Sequence, residues 1–99
     1  MTPDTMDRDQ RGRLVEELSS AKAELAERRV EASAGGGAVR VVMSGTQECL
    51  EVVIAPELLT SGDIDELQEL VLLAVNQAIQ DSQLMAARRL SPLSDELDR

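Results

Sequence analysis

Five arginines stand in two short runs, Arg8, Arg11 and Arg13 near the start of the chain and Arg88 with Arg89 near its end. A guanidinium group stays charged at any physiological pH and presents a fork of N–H donors, so such runs suit anions. Their electrostatic settings differ. Arg88 and Arg89 fall towards the end of a predicted helix, where the dipole favours cations with no ligand at all. Arg8, Arg11 and Arg13 fall at a predicted helix start, where cations oppose the dipole and Asp7 and Asp9 compensate only in part. That local conflict marks them as a candidate site. Other chemistry is sparse. Histidine is absent from the 99 residues, which excludes imidazole acid–base catalysis, serine triads and metal sites of the usual His type. Carboxylates, Cys49, Lys22 and the arginines remain, and no spacing gathers them around a pocket, so neither an enzyme nor a metal or cofactor is expected. Cys49 has no base or cation beside it in sequence and reads as a buried small residue.

The elements that must position these arginines follow from hydrophobic periodicity. Residues 1–7 carry no apolar period and read as a disordered N-terminus; a single domain is expected over 8–91 and an acidic flexible tail over 92–99. Leu14, Leu18, Ala21 and Leu25 recur at helical spacing as a narrow seam, predicting a helix from about Arg8 to Arg29 that packs on one partner helix. Three glycines, Gly35 to Gly37, then separate two stretches that alternate with period two, Val30–Ala34 and Val39–Ser44. A third such stretch runs from Leu50 to Ile54, and Pro56 ends it. After a loop at Thr60, Ser61 and Gly62, a second helix starts near Asp63. Its polar Gln80–Gln83 segment suggests that it projects past the core before Pro92 stops it. The predicted class is α+β: helix, three-stranded antiparallel β-meander, helix.

Size and composition ask for a second copy. Phe, Tyr and Trp are all absent, so the core lacks large anchors and the surface lacks rings on which unpaired bases would stack. Single-stranded nucleic acid is therefore disfavoured. A chain this short buries only about two-thirds of its unfolded surface, and one cysteine without histidine leaves oligomerisation as the route to extra burial. The second helix is apolar around most of its circumference, which requires cover on two sides. Leu67, Leu70, Val71, Ala74, Val75 and Ala78 are the expected homodimer interface, and Asn76 an amide satisfied in the core or that interface. The unpaired cysteine and the polar start after Met1 fit a reducing cytoplasm.

Several spaced landmarks agree with one known pattern. Val30-Glu31-Ala32-Ser33-Ala34-Gly35-Gly36-Gly37, then Val39-Arg40-Val41, Gly45, Cys49 and Val52-Val53-Ile54-Ala55-Pro56-Glu57-Leu58-Leu59 are followed by Asp65-Glu66-Leu67-Gln68-Glu69-Leu70-Val71 and Ala74-Val75-Asn76-Gln77-Ala78. Together they resemble the YbaB/EbfC family of bacterial nucleoid-associated DNA-binding proteins. The resemblance implies a tweezer-like homodimer, cytoplasmic and nucleoid-associated, whose projecting helices engage duplex DNA weakly and with little sequence preference. On this chain the DNA-binding residues would be Arg8, Arg11, Arg13, Arg88 and Arg89, ten arginines in a dimer.

Charge sets a competing expectation. With 19 acidic and 10 basic residues the chain carries a formal charge of −9, whereas affinity for DNA comes largely from neutralising phosphates. Lys22, Arg28 and Arg29 are expected to pair with Glu24 and Glu27 along the first helix. Local geometry can outweigh net charge; the alternative is an acidic protein–protein adaptor on the same fold that has lost DNA binding and takes a basic protein partner.

Overall fold

The computed structural model describes residues 7–97, so the expectation for residues 1–6 and for the last two residues lies outside the described ones. Helix α1 spans Arg8–Glu27, strands β1, β2 and β3 span Arg29–Ala34, Val39–Ser44 and Cys49–Ile54, a short helix α2 spans Pro56–Thr60, and α3 spans Ile64–Leu97. The strands form an antiparallel sheet in the order β1-β2-β3, with Ala32 opposite Val41 and Val41 opposite Val52. Gly35, Gly36 and Gly37 all take positive φ at the β1–β2 turn, a backbone that side chains with a Cβ rarely adopt.

Alternation turns one face of the sheet to α3. Ala32, Val39, Val41 and Met43 are buried against Ala74 and Ala78, with Val30, Leu58, Leu67, Leu70, Val71, Val75 and Ile79 packed around them. The helix lies over β1 and β2 and scarcely reaches β3. Strand β3 is consequently almost wholly exposed. Cys49, expected to be buried, is free and exposed at the start of that strand, because the covering helix is offset to the other side of the sheet. Asn76 is also exposed, on the face of α3 turned away from the sheet.

Two helix boundaries differ from expectation. Pro56 starts α2 as well as ending β3, since a proline at the first helical position has its φ already set and lacks only an N–H that would be unpaired anyway. Pro92 does not stop α3, which continues to Leu97 with the proline inside it, so residues 92–97 are helical where a flexible tail is expected. Leu90 and Leu93 on either side of the proline are half-buried, and Leu93 shares a groove with Arg13, Glu16, Glu17 and Ser20 of α1. Packing along α1 offsets the missing hydrogen bond, and the freed Arg88 carbonyl lies on a projecting helix where water can reach it.

Past the sheet, α1 and the second half of α3 pack on each other. Leu14, Ala21 and Leu25 are buried along this seam and Leu18 is half-buried, so the partner helix is supplied by the same chain. The result is a two-helix prong on an elongated protomer of 68 × 20 × 16 Å. Its base is a tight junction. The Gly45 N–H donates to the Leu25 carbonyl at 2.9 Å and to that of Arg28 at 3.0 Å, and the Arg28 N–H also bonds the Leu25 carbonyl, so the end of β2 is tied to the end of α1.

Candidate nucleic-acid interface

The prong begins with a capping box. The Asp7 carboxylate accepts from the Gln10 N–H at 2.7 Å, and the Gln10 side chain accepts from the Asp7 N–H at 3.1 Å. This reciprocal cap satisfies two N–H groups of the first turn, offsetting the unfavourable placement of three arginines there. Arg8, Arg11 and Arg13 are all exposed, yet they do not form one cluster. At 3.6 residues per turn Arg8 and Arg11 share a side of α1, and Arg13 lies across the helix with Glu17, Ser20 and Glu24.

Because α1 runs back along α3, the two arginine runs of the sequence come to the same prong. Arg13 and Arg89 line a groove of about 360 Å³ together with Glu16, Glu17 and Ser20. The Arg89 Nε donates to Glu24 Oε2 at 3.0 Å, so part of its charge is already answered within the chain. A second opening of about 500 Å³ lies nearer the base of the prong, lined by Arg28, Arg88, Arg89 and Asp81 with Leu84 and Met85. Arg28 is not in the expected set. Instead of pairing with Glu24 or Glu27, it occupies the C-cap of α1; the position one turn beyond the buried Leu25 is the trace of this in the sequence. Among the described residues, ion pairs join Arg89 to Glu24 and Arg40 to Glu31.

The residues expected to form a subunit contact are divided. Ala74 and Ala78 are completely buried within the protomer, so they belong to its own core and cannot touch a partner. Leu67, Leu70, Val71 and Val75 are half-buried around that core. Uncovered apolar surface lies elsewhere and includes Leu50 and Val52 on β3, 42% and 46% exposed, and Leu72 and Leu73 on α3, 61% and 55% exposed. No helix among the described residues is long and apolar enough to cross a membrane.

Comparison with known proteins agrees with this architecture. The crystal structure of an uncharacterized protein from Helicobacter pylori superposes with a TM-score of 0.64 over 71% of this chain and 81% of that one, at 23% identity, a likeness of fold. A nucleoid-associated protein of Desulforamulus reducens is 44% identical over 75 residues, covering 76% of this chain and 71% of the relative. Its counterparts from Moorella thermoacetica and Chloroflexus aggregans are each 40% identical over 81 residues, 82% of this chain and 78% and 81% of theirs. The model of the YbaB/EbfC DNA-binding family matches residues 5–97, taking in both helices of the prong and the whole sheet. With sheet, prong and sequence in agreement over nearly its full length, the chain belongs to the YbaB/EbfC DNA-binding family.

Proposed function

We propose that this protein is a nucleoid-associated, non-catalytic DNA-binding protein that acts as a homodimer and holds the duplex through its phosphate backbone, weakly and with little sequence preference. The observation that supports this most directly is the prong: packing of α1 on α3 gathers Arg13, Arg28, Arg88 and Arg89 on one projecting unit of an otherwise acidic chain. Field geometry of this kind makes up for net charge at close range. Aromatic stacking is impossible for a chain without rings, which favours contact with the backbone of a duplex over readout of unpaired bases.

Uncovered apolar surface supports the homodimer. Leu72, Val75 and Ile79 lie along one row of α3 with Ser82, which bonds the β2–β3 turn. That row therefore faces towards the exposed strand β3. The interface proposed here is this row together with Leu50 and Val52, burying apolar area that the protomer leaves in water. The nucleoid, within the cytoplasm, is the proposed location.

Titrating a labelled random-sequence duplex against salt tests the reading. Binding whose log affinity falls linearly with log salt is expected, the slope giving the number of phosphates neutralised. A formal charge of −9 per chain favours one second reading, the acidic adaptor for a basic protein partner. Absence of duplex binding even at low salt would select it.

A further inference from the structure

We propose that the DNA phosphates are seated at the base of the prong, in the groove lined by Arg28 and Arg88, and not at its tip; this rests on the duplex-binding function proposed above. The two grooves of the prong differ in how much of their positive charge is already answered. Arg13 and Arg89 line theirs beside the carboxylates of Glu16 and Glu17, and Arg89 is paired with Glu24 at 3.0 Å. Arg89 also lines the basal groove, but there Arg28 and Arg88 face a single lining carboxylate, Asp81. The Gln77 amide donates to Asp81 Oδ1 at 2.9 Å, which occupies one of its two oxygens. Neither Arg28 nor Arg88 takes part in an ion pair among the described residues. Both are exposed.

The groove suits a polyanion better than a small ion. It has no buried donor set that would strip a lone phosphate of its water, and isolated ion pairs in open solvent contribute little. A duplex gains in another way, by releasing condensed counterions as each phosphate is neutralised. Leu84 and Met85 wall the groove with apolar surface, which lowers the local dielectric and strengthens the attraction. The arginines at the tip are placed differently. Arg8 and Arg11 sit on the first turn of α1, where Asp7 and Asp9 flank them.

The test compares four proteins in salt titrations with a labelled random-sequence duplex: the unaltered chain, Arg28→Gln with Arg88→Gln, Arg8→Gln with Arg11→Gln, and Asp81→Asn. Both double variants change the charge equally. The basal pair is expected to weaken binding at low salt at least tenfold and to flatten the log–log slope by about 0.9 for each phosphate that is no longer neutralised. The tip pair should change affinity less than threefold. Asp81→Asn, which removes the groove's carboxylate, should tighten binding about threefold, a gain that structural damage would not produce. Thermal unfolding should be the same for all, since the exchanged side chains are exposed or at the rim. Equal losses from both pairs, or no gain from Asp81→Asn, would overturn the basal seat and leave duplex binding standing. An unaltered chain that fails to bind the duplex would overturn both.

Discussion

The Ser82 hydroxyl, completely buried halfway along α3, donates a 2.6 Å hydrogen bond to the main-chain carbonyl of Ser44 at the end of β2. The Gln47 side-chain amide in turn donates to the Ser82 oxygen at 2.9 Å, from a residue with φ of 63°. The Ser44 hydroxyl accepts the N–H groups of Thr46 and Glu48, tying the β2–β3 turn to the same point. Here the helix leaves the sheet and becomes part of the prong. A polar node inside an otherwise apolar contact tolerates little displacement, because each group left unpaired in the interior carries a desolvation penalty. The node therefore fixes where along α3 the sheet ends and the projecting part begins.

Ser82→Ala should lower stability by about 1–2 kcal/mol, the usual cost of leaving a buried partner without its hydrogen bond. Urea unfolding of the exchanged and unaltered proteins at the same protein concentration measures it. A change near zero would mean that water replaces the hydroxyl and that the node is not holding the helix.

Two glycines should respond with opposite signs. A Cβ at Gly45 would stand 2.6 Å from the Leu25 carbonyl oxygen, so Gly45→Ala must push α1 away from the end of β2, at an expected cost above about 2 kcal/mol. Gly12 is exposed near the start of α1, with nothing near the position of a Cβ. Gly12→Ala should add about 0.5–1 kcal/mol through helix propensity and reduced freedom of the unfolded chain. Thermal melts of the pair distinguish the two directions.

Val52→Asp and Ala74→Asp should separate association from folding. Val52 is 46% exposed on β3 while Ala74 is wholly buried on the sheet-facing side of α3. Placing a charge at Val52 should leave the circular dichroism of the protomer intact and weaken the proposed dimer by about 3 kcal/mol, roughly a hundredfold. The same change at Ala74 should unfold the protomer. Sedimentation velocity together with circular dichroism reads both, and an unaltered dimer in Val52→Asp would remove β3 from the interface.

Glu24→Gln should strengthen DNA binding without altering stability. The Arg89–Glu24 pair is largely in water, with 39% and 58% of the two side chains exposed, and such pairs contribute about 0–1 kcal/mol. Releasing Arg89 should tighten duplex binding about two- to fivefold at low salt. The gain should fade above physiological ionic strength as screening shortens the reach of the charge. Binding that weakens instead would show that Glu24 orients Arg89 for contact.

Most of the secondary structure is legible in the sequence because it is written in local periodicity. The apolar seam of α1, the alternation of the strands and the glycine turn at 35–37 each depend on residues near one another in the chain. Pro56 and Pro92 depart from the local rules for related reasons. Proline ends one element and opens another with equal ease at a helix start, so Pro56 serves both β3 and α2 through its first-position preference. At Pro92 the local rule for a helix stop gives way to packing between Leu93 and α1, which nothing within a few residues announces.

The arginines show the same division at the level of the site. Their number and positions, the helical spacing that separates Arg13 from Arg8 and Arg11, the acidic balance of the chain and the absence of aromatic and imidazole chemistry are properties of the sequence alone, as is the landmark pattern of the family. Tertiary structure alone decided which charges remain free to meet a ligand. It set Arg89 against Glu24 and moved Arg28 from an expected helix pair to the edge of a groove shared with Arg88. It also placed Ala74 and Ala78 in the protomer core and left β3 uncovered. The physical reason is that periodicity tells a helix which residues share a face but not which element will cover it. Cover is fixed by contacts between segments distant in sequence, such as Ser82 with Ser44 and Gly45 with Leu25.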